Sequence, residues 1–444
     1  MAHSTRSSEE SRAASDGAVN AISGGVPSRS RPAVALGIFL LGRLLLWFRW
    51  LASDRGPGDV QYYFTSTQSL PMQGVTTTLV EYPVPVVWLL GTPQILAPGD
   101  PAKYLAVFVA MMLAADAAFT WALWRHTPRP LLAITVWSGF LVSMGTIVYL
   151  RFDVITAALV GVALLLLRHR PGLAGALVAV GAALKLWPAA VLLPMLAMPK
   201  RLRQAAGFAA AGGGLACLSL VLTGWERTAS ALTWQSDRGL QIESVWATPL
   251  MLARINGGDQ EIVMSQYKAF EVAGSGVDQW MAWSSLAAVA GTIIIAALLV
   301  KGLTAAKHAS GAVSPSIDRL QWVALAVSAM TAVVIITNKT LSPQYLVWLA
   351  APVVVAIALD ARPGRRWTNT GLLLMLGLLT QLVYPIWYPS LWGGVAAEPE
   401  TVRVTIALTA RNAILLVTGC ALVAEAWFGT TFPARYAGSR TSRR

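Results

Sequence analysis

Seven short polar groupings stand out because each sets charge beside an otherwise apolar stretch. Asp59 lies in Gly56-Pro57-Gly58-Asp59-Val60-Gln61-Tyr62-Tyr63. A carboxylate close to apolar surface gains proton affinity and can serve as a general base. The same residue could instead cap a helix starting at Val60, and Asp54 competes for either role. Glu81-Tyr82-Pro83-Val84-Pro85 offers a carboxylate and a phenol for sugar hydroxyls, or only a turn with an interfacial tyrosine. Arg151-Phe152-Asp153 reads as a local ion pair, or as Arg151 meeting phosphate while Asp153 takes acceptor hydroxyls.

Lys185 precedes Trp187-Pro188 at a break between two short apolar runs. A lysine at that depth needs a partner or must snorkel to the interface, and an anionic phosphate explains its position better. In Arg238-Gly239-Leu240-Gln241-Ile242-Glu243-Ser244, flanked by Trp234 and Trp246, indoles serve as sugar platforms or as interface anchors. Lys339-Thr340-Leu341-Ser342-Pro343-Gln344-Tyr345 opens a helix, where backbone amides favour anions, and is a second phosphate candidate. Arg411-Asn412, inside the last apolar run, is a third. Trp187, Glu243, Gln344 and Tyr345 complete the candidate sugar or acceptor contacts. Asp116 is expected to pack against a neighbouring helix.

The elements that must position these residues are membrane helices. Of 444 residues 55% are apolar and 12% charged, with mean hydropathy +0.58; soluble domains carry about 25% charged residues. The repeated apolar runs suit a hydrocarbon core about 30 Å thick. The net charge of +13 is concentrated in short connections, among them Arg125–Arg129, Arg168–Arg170, Lys200–Arg203 and Arg362–Arg366. This pattern sets orientation by the positive-inside rule and argues against nucleic-acid binding. Residues 82–98 are apolar but interrupted by four prolines. Were they to cross, every later basic connection would change sides, so they are expected to form a re-entrant or juxtamembrane helix.

The remainder alternates as about twelve crossings: 33–51, 103–124, 130–149, 153–168, 172–185, 187–199, 205–223, 280–300, 319–337, 345–360, 370–387 and 401–428. The expectation is an all-α polytopic protein of the cell membrane, with both termini cytosolic and the site extracytoplasmic. Residues 1–31 and 429–444 read as tails around a 32–428 membrane domain, the first disordered and the second basic. The 224–278 segment is the largest external loop. Cys217 and Cys420 lie in apolar runs and are expected to be buried and unpaired. No cofactor motif or metal-ligand cluster occurs, and the four histidines avoid the proposed active face.

In their order and common sidedness these motifs resemble glycosyltransferase family 87. The points of likeness are the early aspartate, the Tyr-Pro after it, Lys-Leu-Trp-Pro, Arg-Gly-Leu-Gln-Ile-Glu-Ser and Lys-Thr-Leu-Ser-Pro-Gln-Tyr-Leu. The resemblance covers about residues 33–428. Where the family usually reads Tyr-Pro-Pro, this chain has Tyr82-Pro83-Val84-Pro85. The resemblance implies a GT-C membrane fold and inverting transfer of a sugar, mannose or the pentose arabinofuranose, from a polyprenyl phosphate to a lipid or glycan hydroxyl. It implies Asp59 as base, with Lys185, Arg238 and Lys339 stabilising the departing phosphate and no cofactor. A transporter for a lipid-linked sugar is the rival from another class. It should show internal two-fold symmetry, whereas this sequence has no repeat and its polar groups gather on one side.

Overall fold

The computed structural model describes residues 30–53, 56–236, 238–308 and 316–429. Residues 1–29 and 430–444 of the expected tails, and Asp54, lie outside that set. The described chain is an all-α polytopic membrane protein with one small hairpin. Seven helices have the length and hydropathy to cross a bilayer: α1 (Arg31–Leu51), α4 (Pro101–His126), α8 (Arg201–Ser236), α10 (Val277–His308), α11 (Ser316–Thr337), α13 (Pro363–Gln381) and α15 (Pro399–Phe428). Shorter apolar helices lie between them: α3 (Val84–Leu96), α5 (Pro130–Met144), α6 (Asp153–Leu166), α7 (Pro171–Leu184) and α12 (Tyr345–Leu359). Every residue of α12 from Leu346 to Leu359 is buried, which makes it the central post of the bundle.

At 13 residues α3 is too short to span. The Tyr104 hydroxyl donates to the Leu90 carbonyl at 2.8 Å, tying α3 to the first turn of α4. Asp100 caps α4, accepting from the Ala102 and Lys103 amides. The expected crossing at 187–199 is not a regular helix. It is a 3-10 turn (Trp187–Val191) followed by a single α-turn (Leu192–Met195). It nevertheless brings the chain back, because α7 and α8 begin side by side and run parallel. Gly172 meets Gly207, Gly175 meets Gln204, and Ala179 meets Gly212. Prolines 188 and 194 break the return. Small residues let these two backbones approach closely, the usual way membrane helices gain contact when lipid is as apolar as leucine.

Basic connections collect at one end of the bundle. There the His126 and His169 rings lie 5.8 Å apart, Arg129 donates to the Ala358 carbonyl, and Arg365 bridges Asp360 and Glu425. Within the spans, charge is paired. Arg43 of α1 meets Asp116 of α4, and that carboxylate also accepts from Trp137 Nε1 and the Tyr149 hydroxyl, both at 2.7 Å. Asp116 thus packs against three neighbouring segments.

One expectation fails. Cys217 and Cys420 are free but face outward rather than into the core; being small and apolar, they suit a lipid-facing surface as well as a buried one. The described part of the 224–278 segment carries elements of its own: α8 continues past a kink at Gly224, then come α9 (Thr248–Ile255) and an antiparallel hairpin of β1 (Glu261–Met264) and β2 (Phe270–Ala273). Gly224 takes φ +74, a left-handed conformation that lets α8 bend where it leaves its apolar stretch.

A side chain at Gly175 would run into the Gln204 carbonyl. The variant Gly175→Ala is therefore expected to separate α7 from α8 at a cost of about 1–3 kcal/mol. A lowered melting temperature of the detergent-solubilised protein checks this, and an unchanged one contradicts the close approach.

Candidate active site

Opposite the basic end, the helix termini and their connections enclose a cavity of about 1220 Å³. That exceeds the ~300–1,000 Å³ that holds one drug-sized ligand. Asp59 lines it from the first turn of α2 (Asp59–Gln68). The helix begins at Asp59 itself, with Gly58 at the cap position and φ +56, so Asp59 is not the cap of a helix starting at Val60. Its carboxylate pairs with Arg151 instead.

The neighbouring charges pair crosswise. Arg151 and Asp153 do not bond each other: Arg151 reaches Asp59, while Asp153, buried at the start of α6, accepts from Lys185 Nζ at 2.7 Å and from Trp348 Nε1 at 2.6 Å. Lys185 therefore has a protein partner in Asp153 while it also lines the cavity. Its ammonium also lies over the rings of Phe152 (4.8 Å), Trp348 (5.2 Å) and Tyr345 (5.7 Å), each a favourable cation–π geometry. Trp187, Trp348 and Tyr345 stack in series, at 5.5 and 4.0 Å between centroids, and form one aromatic wall.

Elsewhere in the lining, Glu81 accepts from the Tyr62 hydroxyl at 2.6 Å. Burial, then the Glu81 hydrogen bond, pushes the Tyr62 phenol up, so it stays a donor. The Arg238–Ser244 segment runs beside β2, extended as far as Gln241 and turning at Ile242–Ser244. Ile242 N–H donates to the Phe270 carbonyl, Val272 N–H to the Leu240 carbonyl and Gln241 N–H to the Lys339 carbonyl. Leu240 and Ile242 turn into a satellite core, while Arg238, Gln241 and Glu243 line the cavity. A Cβ at Gly239 would make the Glu271 carboxylate shift.

Of the candidate residues, Asp59, Glu81, Tyr82, Arg151, Lys185, Trp187, Arg238, Glu243, Gln344 and Tyr345 line the cavity. Asp153 sits just behind it. Two candidates lie elsewhere. Arg411 is fully buried and committed to Glu243, donating to its carboxylate at 2.8 Å and to its carbonyl. With Asn412, which donates to the Ser244 carbonyl and Thr248 Oγ1, it pins the loop over the cavity and does not face it. Lys339 lines a separate 370 Å³ groove between α10 and α11. Trp246 is an anchor, donating from Nε1 to the Ile336 carbonyl.

Four cavity-lining residues carry buried polar atoms with no protein partner: Trp187 Nε1, Arg238 Nε, Gln241 Oε1 and Gln344 Oε1. Buried polar groups are rarely left so, and their convergence on one space marks a ligand site. Aromatic faces, cations and a carboxylate together suit a substrate with a sugar ring and an anionic group.

Sequence reading missed Arg227. From α8, just past the Gly224 kink, its buried guanidinium donates to the carbonyls of Val75, Thr78, Leu79 and Tyr82. Ser230 adds a bond to the Val80 carbonyl. This clamp shapes the turn that presents Glu81 and Tyr82, and it holds Leu79 at φ +51, which a non-glycine residue adopts only when its surroundings enforce it. Its isolated arginine in a polar segment gave no periodic or motif signal. Arg227→Met is expected to cost about 3 kcal/mol by leaving these carbonyls without donors. A lower melting temperature and new chymotryptic cleavage near Leu79–Tyr82 check this; an unchanged digest removes the clamp.

No curated protein and no solved structure gives a significant match to the chain. The model of glycosyltransferase family 87 matches residues 80–308, a little more than half of its length. That stretch carries the Glu81-Tyr82 turn, the crosswise ion pairs around Arg151 and Asp153, Lys185 and the Arg238–Ser244 segment. The chain belongs to glycosyltransferase family 87.

Proposed function

We propose that the protein transfers a sugar, mannose in the first instance, from a polyprenyl-phosphate donor to a hydroxyl of a lipid or glycan acceptor. The carrying observation is that one cavity joins a carboxylate, Asp59, to the cations Arg151, Lys185 and Arg238 beside an aromatic wall. Asp59 takes the proton of the acceptor hydroxyl as its oxygen attacks the anomeric carbon. The bond from that carbon to the phosphate oxygen breaks on the opposite side, inverting the centre. The electron pair leaves with the polyprenyl phosphate.

Arg151 holds the Asp59 carboxylate. The donor phosphate competes for the same guanidinium, and drawing it away frees Asp59 for the acceptor. Lys185, kept in place by Asp153, and Arg238 complete a field for the negative charge gathering on the leaving phosphate. Fixed charges of this kind supply roughly 3 kcal/mol per donor in a site that excludes water. The Trp187–Trp348–Tyr345 stack gives the sugar or the first isoprene units a flat apolar face.

The basic connections gather at the end away from the cavity, which supports a site facing away from the cytosol in the cell membrane, with both termini cytosolic. Arabinofuranose is the alternative sugar, and hydrolysis and analysis of the product distinguish it.

Asp59→Asn is expected to insert and fold normally but to lower transfer from radiolabelled polyprenyl-phosphate mannose by roughly a hundredfold to ten-thousandfold. Near wild-type product formation by this variant removes Asp59 as the base. Movement of label across the membrane without product by the wild-type protein points to a transporter instead.

A further inference from the structure

The cavity has two regions of different chemistry. Aromatic rings and cations from span ends line one. The other is formed by α2 and by the tip of the β1–β2 hairpin, residues Gln266–Lys268. Two side-chain contacts from the tip reach the cavity walls: Lys268 Nζ lies 3.9 Å over the Tyr62 ring, and Tyr267 meets Trp234 edge-on at 5.4 Å. Gln266 donates to the Tyr267 hydroxyl at 3.0 Å.

Lys268 has φ +54 at the turn, where glycine is the ordinary occupant. A lysine there costs of order 1–2 kcal/mol, so its side chain, rather than the turn, accounts for its presence. That side chain is set on Tyr62, which is bonded to Glu81 and stands one helical turn after Asp59. A chain of contacts therefore runs from the tip to the neighbourhood of the candidate base.

The surface so formed has the ring faces of Tyr62, Tyr267 and Trp234, the Gln266 and Gln73 amides, and the Thr65 hydroxyl. Ring faces pack against sugar C–H groups while amides and hydroxyls pair with sugar hydroxyls. Apart from Lys268, whose ammonium is taken up over the Tyr62 ring, these polar groups are uncharged, which suits a neutral saccharide over a second phosphate. The cavity also has more volume than one ligand needs.

We propose that the hairpin tip is an acceptor subsite. It holds a neutral sugar unit adjoining the one that is glycosylated, so that a disaccharide or longer glycan is preferred to a single sugar. This rests on the glycosyltransferase reading above and names its acceptor class.

The test is binding of methyl α-mannoside and of an α-linked methyl mannobioside to the purified protein in nanodiscs, followed by ligand-observed NMR. The wild type is expected to bind the disaccharide about tenfold more tightly. Tyr267→Ala and Lys268→Gly are each expected to remove most of that preference and leave monosaccharide binding unchanged. Lys268→Gly relieves the left-handed strain, so its folding is not at risk. In transfer assays both variants should raise the disaccharide KM with the donor KM unaltered. Equal affinity for the two sugars, or an unaltered preference in both variants, overturns the subsite. A wild-type protein that shows the tip-dependent preference yet transfers nothing from polyprenyl-phosphate mannose keeps the subsite and sinks the donor reading.

Discussion

The site depends on a crossed pair of salt bridges. Arg151 and Asp153 are separated by one residue, yet each bonds a partner from another element: Arg151 the aspartate of α2, Asp153 the lysine at the end of α7. The reason is geometric. Asp153 starts α6 and is directed into the bundle, where Trp348 and Lys185 satisfy it, while Arg151 stays in the turn before the helix and faces the cavity. One short turn thereby joins α2, α7 and the central α12, and sets a carboxylate and two cations around a common space. Losing Asp153 from its buried pair with Lys185 leaves a lone charge, which costs about 3–5 kcal/mol.

The same requirement for pairing shapes the rest of the molecule. Bilayer hydrocarbon offers no water to a charge, so arginines and acids within or beside the spans must find each other. Arg43 with Asp116 fastens α1 to α4 and takes in Trp137 and Tyr149. Arg411 with Glu243 fastens α15 to the loop over the cavity. Arg227 meets this need with backbone carbonyls instead of an acid. Each cation holds down a segment that bears site residues or packs beside one. The residues free to change partners, such as Arg151, are those with access to the cavity.

The helical architecture was legible because hydropathy and proline positions are local properties. The interrupted run at 82–98 fell on the site side on charge bookkeeping alone, and α3 is indeed too short to cross. The return through 187–199 was legible as a passage but not as a 3-10 turn plus one α-turn, since two prolines and packing between α7 and α8 decide its form. The hairpin was missed because its two four-residue strands sit in a segment read as a loop. Among candidate residues, the sequence located ten that line the cavity, but it had no means of telling a cation at the cavity from one placed elsewhere. Arg411 and Lys339 share residue type and setting with Lys185 and Arg238, and only their neighbours in space separate them.

By itself the sequence determined that this is a polytopic membrane protein with basic connections on one side and a carboxylate with several cations on the other. Composition and alternation fix this because the cost of placing charge in hydrocarbon acts on each residue separately. Tertiary structure alone decided which charge answers which: Asp59 with Arg151, Asp153 with Lys185, Glu243 with Arg411. Those partners are 92, 32 and 168 residues apart. Coulombic attraction over a few ångströms depends on where folding brings two side chains and carries no trace in the order of the chain.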